Sequence, residues 1–238
     1  DWVVIHDQKA TGQDFEAKAF SADNQMLYYT LSQTTGPNAL FTYNFKTGEK
    51  KQIARDDNVD PGVLLSSPVD DSVYAVRYED GFPRYEFIDK ANPFARNLIK
   101  LQASFPDADV YPVSATNDGN KIIYVVESDT IAGEYYLFDN TTQKAEHLVS
   151  RASWIDSAKL SLMDPMKFKA RDGLDIEVFV TTPKGSSGKN LPLIVNPHGG
   201  PFGPYDSWGY NPEVQMLASR GYAVMQVNFR GSGNYGKE

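Results

Sequence analysis

The sequence contains no cysteine. Disulfide bonds and thiolate metal sites are therefore excluded within its 238 residues. The same absence leaves the redox compartment open, because chains without cysteine are compatible with reducing and oxidising surroundings.

Histidine is also scarce. The three histidines, His6, His147 and His198, stand far apart along the chain. No two of them have the short spacing that metal-ligand motifs require. We expect neither a metal nor a cofactor.

Basic residues are outnumbered by acidic ones. The chain has 23 Lys and Arg against 31 Asp and Glu, a formal net charge of -8 and a pI near 4.9. Nucleic acids and anionic membranes bind clustered basic faces, and the sequence has no such cluster. Both are excluded as expected partners.

Long apolar runs are missing as well. No stretch approaches the roughly 20 residues that span a bilayer, and the first residues, "DWVVIHDQKATGQDFE", lack the pattern of a signal peptide. We expect a soluble protein and leave its compartment, cytoplasmic or periplasmic, open. Since the chain begins with Asp1 instead of Met, we also expect it to continue from further sequence.

What the first two thirds do contain is a repeat. Three stretches share one pattern: a polar turn with Asp, a strand with Tyr, a loop with Gly, an aromatic strand and a short third strand. They begin at Phe20, Ser66 and Val113, and their equivalent residues are Asp23, Asp70 and Asp118; Tyr28, Tyr74 and Tyr124; Gly36, Gly81 and Gly133. Their third strands are "KKQIA", "RNLIK" and "AEHLV".

The spacing of this repeat is typical of β-propeller blades. The tyrosines lie 46 and then 50 residues apart, within the period of about 40 to 50 residues expected for blades. We predict three successive antiparallel sheets packed about an axis; a β-sandwich with similar hairpins is the alternative. Closed propellers have about 4 to 8 blades, so a partial propeller indicates a piece of a longer protein, and "WVVI" is interpreted as the end of a preceding blade.

The pattern changes after residue 150. Residues 166–170 and 174–182 are predicted strands joined by a turn at Asp172-Gly173. "LPLIVN" is an uninterrupted apolar run, as expected for a strand buried on both faces of a mainly parallel sheet. The helix predicted in "NPEVQMLASRG" begins at the cap Asn211 and ends near Gly221, and "YAVMQVNF" is the next buried strand.

These elements predict a mixed fold with two domains. Residues 1–155 are expected to form a partial β-propeller of about three blades, and residues 156–238 the N-terminal part of an α/β-hydrolase domain. The order strand, Gly-rich turn, helix, strand is that of a crossover unit.

The turn His198-Gly199-Gly200-Pro201 carries the predicted chemistry. Consecutive glycines can turn the backbone sharply and direct N–H groups into a cleft. Such donors stabilise the oxyanion of an acyl-transfer intermediate, and α/β-hydrolases carry a similar motif after their third strand. The alternative is a tight turn that packs a helix on a sheet. His198 is interpreted as a conformational residue that bonds to nearby backbone.

The stretches "FKARDGLDIEVFVTTP", "LPLIVNPHGGP" and "NFRGSGNYGKE" resemble the prolyl oligopeptidase family of serine peptidases, in particular its acylaminoacyl peptidase and dipeptidyl aminopeptidase branch. The resemblance is weak in the blades and strong from Met166 onward. It implies that the N–H of Gly200 donates to the oxyanion, with His198, Gly199 and Pro201 supporting the turn. It also implies peptide substrates and a propeller that restricts entry to short or unfolded peptides.

The nucleophile of that family is not found. The sequence has no G-x-S-x-G elbow, and Ser207 and Ser232 are interpreted as turn residues. The resemblance implies that the nucleophile, the acid and the base follow Glu238, so the chain alone is expected to be inactive and to have the rest of the parent chain as its partner. The alternatives are a non-catalytic propeller scaffold and an esterase.

Overall fold

A computed structural model describes residues 2–200 and 202–237. Its regular structure is mostly β, and the helices are short. The helices are α1 (Gln8–Thr11), α2 (Pro93–Ser104), α3 (Pro212–Ala218) and the 3-10 turn Ser157–Lys159. The strands are β1 (Phe15–Phe20), β2 (Met26–Leu31), β3 (Ala39–Asn44), β4 (Lys50–Arg55), β5 (Leu64–Ser66), β6 (Val73–Asp80), β7 (Phe82–Phe87), β8 (Asp109–Ala115), β9 (Lys121–Glu127), β10 (Glu134–Asp139), β11 (Lys144–Ser150), β12 (Met163–Lys169), β13 (Asp175–Thr181), β14 (Leu193–Val195) and β15 (Ala223–Val227).

The chain divides into two compact units. The first contains residues 2–80, 84–96 and 234–237, and the second contains residues 81–83, 97–200 and 202–233. Among the described residues, no helix combines the length and the apolar character needed to cross a bilayer.

The repeat forms three successive sheets, as predicted. Their strand orders are β1-β2-β3-β4, β5-β6-β7 and β8-β9-β10-β11. The three repeat tyrosines occupy the second strand of their sheets, and their side chains are buried: Tyr28, Tyr74 and Tyr124. Consecutive residues of these strands are buried, so both faces of each inner strand are covered.

The repeat aspartates build the same turn three times. Each side chain accepts a hydrogen bond from the backbone N–H two residues later: Asp23 from Gln25 at 3.0 Å, Asp70 from Ser72 at 3.2 Å, and Asp118 from Asn120 at 3.0 Å. The residue after each Asp has a positive φ: Asn24 (56°), Asp71 (53°) and Gly119 (68°). Because Asn, Asp and Gly tolerate this conformation, all three repeats can close the turn.

Two predictions for the propeller part are wrong. "RNLIK" lies inside helix α2 and is not a strand. The Asn92 side chain accepts the N–H of Phe94 at 2.9 Å, and Pro93 fits the first helical position. Phe94 and Leu98, four residues apart, are buried on one helix face. The segment "WVVI" forms no strand in the described residues, and the first sheet begins with β1 instead.

The fourth sheet has the order β12-β13-β15-β14. β12 and β13 form the predicted hairpin, β13 pairs antiparallel with β15, and β14 pairs parallel with β15. Helix α3 lies between β14 and β15 in sequence and begins at the predicted cap, since the Asn211 side chain accepts the N–H groups of Glu213 and Val214. The elements predicted after residue 160 are therefore present.

The burial predicted for β14 is wrong. Leu193 and Val195 keep 55% and 54% of their surface exposed. β14 is the edge strand of this sheet, and it has a neighbour only in β15 within the described residues. An uninterrupted apolar run therefore marks the strand correctly but not its surroundings.

Residues 234–237 return to the first unit. Gly36 and Lys237 exchange backbone hydrogen bonds of 2.6 and 3.1 Å. The Asn234 side chain donates to the carbonyl of Glu79 at 2.7 Å, and Tyr235 packs against a buried cluster that contains Leu40, Ala54, Val59, Val76 and Tyr78.

Candidate active site

The predicted oxyanion turn lies at the carboxyl end of β14, beside the carboxyl end of its parallel neighbour β15. Ligand sites of α/β sheets form at this edge, where backbone leaves the strands and polar groups converge. Two stretches meet here: residues 198–206 after β14 and residues 226–233 at and after the end of β15.

His198 links the two stretches. Its Nδ1 is 2.7 Å from the carbonyl oxygen of Gly199, and its Nε2 is 2.9 Å from Oγ of Ser232. The ring stacks on Phe229 with 4.4 Å between centroids and 22° between planes. Because a carbonyl can only accept, Nδ1 carries a proton, and in the neutral ring Nε2 then accepts from the Ser232 hydroxyl.

The glycines bring the two backbones into contact. Gly203 N–H donates to the Gly231 carbonyl at 3.1 Å, and Gly233 N–H donates to the Pro204 carbonyl at 3.2 Å. A Cβ on Gly233 would lie 2.1 Å from the Gly203 oxygen. Only glycine fits at position 233, so the backbone of residues 203–204 lies directly against that of residues 231–233.

A polar cluster fixes the far end of this loop. Asp206 N–H donates to Asn228 Oδ1 at 2.7 Å, and Asn228 Nδ2 donates to the Asp206 carbonyl at 2.9 Å and to Glu177 Oε2 at 3.2 Å. The Gln226 Nε2 donates to Asp206 Oδ1 at 2.6 Å. Asn228, which follows β15, thus binds the backbone of Asp206, and Gln226 of β15 binds its side chain.

Burial is the largest influence on the pKa of the Asp206 carboxyl. Desolvation raises the pKa of its carboxyl above the usual value, while the Gln226 hydrogen bond and the charge of His198 pull this pKa down and only partly offset the rise. A buried carboxyl with one neutral amide partner holds its proton more tightly than an exposed one.

Gly200, the predicted oxyanion donor, has a free backbone N–H. It donates to no acceptor among the described residues. Neither Gly199 nor Gly200 has a positive φ, so neither requires the left-handed conformation that favours glycine. The constraint is spatial: a Cβ on Gly200 would lie 3.3 Å from the Phe202 nitrogen, whereas a Cβ on Gly199 would meet nothing within 4 Å.

Of the other predicted site residues, some lie in the turn and some do not. His198 and Gly199 lie in the turn and contact each other. Pro201 lies outside the described residues. Ser232 N–H donates to the Phe229 carbonyl at 2.9 Å, which places Ser232 in a turn after β15, and Ser207 is exposed in the loop after the Gly-Gly turn.

The Ser232–His198 pair has the hydrogen bond of a nucleophile and its base. It lacks the third member of a triad, because Nδ1 faces a neutral carbonyl instead of a carboxylate that would stabilise an imidazolium. Ser232 also does not stand on a strand-to-helix elbow. We therefore interpret this pair as a structural link between the two stretches.

Asp206, Gln226 and Asn228 were missed by sequence reasoning. The available signal was polar residues at alternate positions in an apolar strand, "AVMQVNF", where Gln226 and Asn228 are each only 4% exposed. Buried amides need partners, so they predict a polar contact on that face of the strand.

A separate cavity of about 680 Å³ lies in the second unit. Its lining combines acidic and apolar side chains: Phe82, Pro83, Pro106, Asp107, Ala108, Asp109, Asp129, Thr130, Leu162, Met163, Asp164 and Trp208. Burial raises the pKa of Asp129, although this carboxylate accepts the Met163 N–H at 2.7 Å. The Trp208 indole donates to the Met163 carbonyl at 3.1 Å.

The known proteins that are similar in sequence to this chain are named as peptidases. No family model matches the chain. Dipeptidyl aminopeptidase BIII of Pseudoxanthomonas mexicana is 30% identical over 223 residues, which cover 91% of this chain and 32% of that protein. Dipeptidyl peptidase family member 6 of Caenorhabditis elegans is 25% identical, over 99% of this chain and 35% of that protein. The chain thus spans about a third of the length of these curated relatives.

The fold is shared with solved peptidase structures. A structure from an analysis of two prolyl endopeptidases superposes with a TM-score of 0.64 at 14% identity, over 95% of this chain and 33% of that one. The fold is a partial β-propeller followed by the N-terminal part of an α/β-hydrolase domain. The relatives and structural neighbours of the chain are members of the prolyl oligopeptidase family of serine peptidases, and the chain matches only part of each of them.

Proposed function

We propose that the full-length protein hydrolyses short peptides by acyl transfer to a serine, and that Gly200 supplies one N–H of its oxyanion hole. The nucleophile, the acid and the base belong to residues other than those described here. The relatives, which are peptidases by name, support the reaction class.

The N–H of Gly200, which donates to no acceptor among the described residues, carries this proposal. A donor without a partner in that part of the chain, at the carboxyl edge of parallel strands, can bind an external oxygen without first breaking another bond. The turn is held on both sides of Gly200, by the His198–Ser232 contact and by the Gly203–Gly231 hydrogen bond. Such fixed donors need no reorganisation when charge develops in the transition state.

Substitution of Gly200 by Ala tests the assignment. The new Cβ, 3.3 Å from the Phe202 nitrogen, forces the turn to shift by a few tenths of an ångström. Because oxyanion donors act over a narrow distance range, we expect kcat on a dipeptidyl or acylated p-nitroanilide to fall about 10²-fold, with KM nearly unchanged.

Gly199→Ala is the matched control. It adds the same methyl to the same turn, where nothing lies within 4 Å. We expect kcat to fall far less, by under about threefold, since the turn need not move. Full kcat in a folded Gly200→Ala protein would overturn the oxyanion assignment, and equal losses in both variants would indicate a general disturbance of the turn.

A further inference from the structure

The hydrogen-bonded side chains of half-buried Asp206 and buried Gln226 each contain one buried polar atom without a partner among the described residues. Each side chain uses one polar atom in the 2.6 Å bond from Gln226 Nε2 to Asp206 Oδ1. The other two atoms, Asp206 Oδ2 and Gln226 Oε1, are buried and have no donor among the described residues. Gln226 is only 4% exposed. Buried acceptors without donors destabilise the folded state, because they lose the hydrogen bonds that water gives them in the unfolded chain.

One proton satisfies both atoms. A carboxylic acid and a primary amide can pair in a ring, in which the amide N–H donates to one acid oxygen and the acid O–H donates to the amide oxygen. The first of these bonds is present, and a proton on Oδ2 of Asp206 would supply the second.

We propose that Asp206 acts as a positioning residue in its protonated form, pairing with Gln226 in such a ring, and that loss of its proton loosens the loop that holds Gly200. The effect on catalysis rests on the proposed function, whereas the ring itself does not. Desolvation, which raises the pKa of Asp206, independently favours the protonated form.

The groups around Asp206 define how it responds to pH. His198 is the titratable group whose charge lowers the pKa of Asp206. Glu177 of β13 is connected through Asn228, which itself contacts the Asp206 backbone. Gln226 and Asn228 do not titrate. A positive charge on His198 would therefore oppose the ring.

The sign of the pH effect follows from the raised pKa. The folded protein holds this proton more tightly than the unfolded chain does, so the stabilisation is complete at low pH and is lost as pH rises through the folded-state pKa. Above that pH, a carboxylate faces the Gln226 oxygen, and the 198–206 loop is held by the Asn228 clamp and the remaining backbone bonds.

Asp206→Asn is the decisive variant. The Asn amide can donate to Gln226 Oε1 and accept from Gln226 Nε2, which preserves both bonds of the ring without a titratable proton. The test is amide hydrogen exchange at Gly203 and Asp206 in the full-length protein from pH 4 to 8, with each rate divided by the intrinsic exchange rate at that pH. We expect protection in the unsubstituted protein to fall at least about fivefold with rising pH, and protection in Asp206→Asn to stay constant.

Two further readouts complete the test. Gln226→Met removes both polar atoms and should lower protection at every pH, while Asp156→Asn, an exposed carboxyl with a lowered pKa, should leave exchange at these amides unchanged. An infrared band of a protonated carboxyl that disappears in Asp206→Asn would support the ring. The proposal is overturned if protection is independent of pH in the unsubstituted protein, or if Asp206→Asn loses protection at low pH.

Hydrogen exchange and the infrared band can both be measured without any assay of peptidase activity. If exchange follows the prediction while Gly200→Ala retains full kcat, the ring stands and the oxyanion assignment fails. If Gly200→Ala loses kcat while exchange is independent of pH, the opposite holds.

Discussion

Gly48 and Gly236 have almost the same backbone conformation, with φ of 73° and 70°, but very different surroundings. A Cβ on Gly48 would meet nothing within 4 Å, whereas a Cβ on Gly236 would lie 2.1 Å from the Gly36 oxygen. The two positions therefore separate the cost of a left-handed residue from the cost of a collision with backbone.

We expect Gly48→Ala to lower the free energy of unfolding by about 1–2 kcal/mol, the ordinary cost of an L-residue in this conformation. Gly236→Ala should cost about 1–3 kcal/mol more, because the methyl cannot coexist with the Gly36–Lys237 bridge. Denaturant unfolding gives the energies, and hydrogen exchange at the Gly36 amide should accelerate only in Gly236→Ala. Equal costs and an unchanged Gly36 amide would contradict this account of residues 234–237.

Local chemistry explains which residues were predictable. The repeat aspartates make their bonds within two residues of sequence, so Asp23, Asp70 and Asp118 could be identified as equivalent turns without coordinates. Gln226 and Asp206 stand 20 residues apart, and their contact depends on how the loop that follows β14 packs against strand β15. Sequence periodicity does not contain that information.

At the scale of elements, helix α2 shows how a repeat can mislead. Alignment with the other two stretches favoured a strand at "RNLIK", although Asn92-Pro93 and the spacing of Phe94 and Leu98 are helical signals. The local residues, and not the pattern of the repeat, decide the structure of this segment. β14 illustrates a different limit, since a strand's sequence does not reveal whether its neighbours are present.

Leu98→Ala tests the place of α2 in the core. Its side chain is completely buried, so the substitution should lower the free energy of unfolding by about 2–5 kcal/mol. The next residue, Ile99, is 38% exposed, so Ile99→Ala should change the free energy of unfolding by less than about 0.5 kcal/mol. Thermal or urea unfolding of both variants gives the comparison, and similar losses for the two would show that the helix is not packed as described.

At the scale of the whole molecule, chain order and compact units do not coincide. Residues 234–237 follow the hydrolase-type sheet in sequence but belong to the first unit, together with β1 to β6. The two compact units meet in sequence after residues 80, 83, 96 and 233 and not near residue 155. The domain boundary near residue 155 stays a prediction. Sequence composition marks where a repeat ends, whereas the grouping of contacts depends on distant segments.

The central claim for the full-length protein is that its nucleophile is a serine outside these 238 residues, served by the oxyanion turn at Gly200. Labelling with a fluorophosphonate probe, followed by peptide mapping, tests it most directly, because the probe reacts with activated serines. We predict stoichiometric labelling at one serine outside this chain, equally strong in Ser232→Ala. Labelling at Ser232 that disappears in Ser232→Ala, or no labelling of the folded protein at all, would contradict the account.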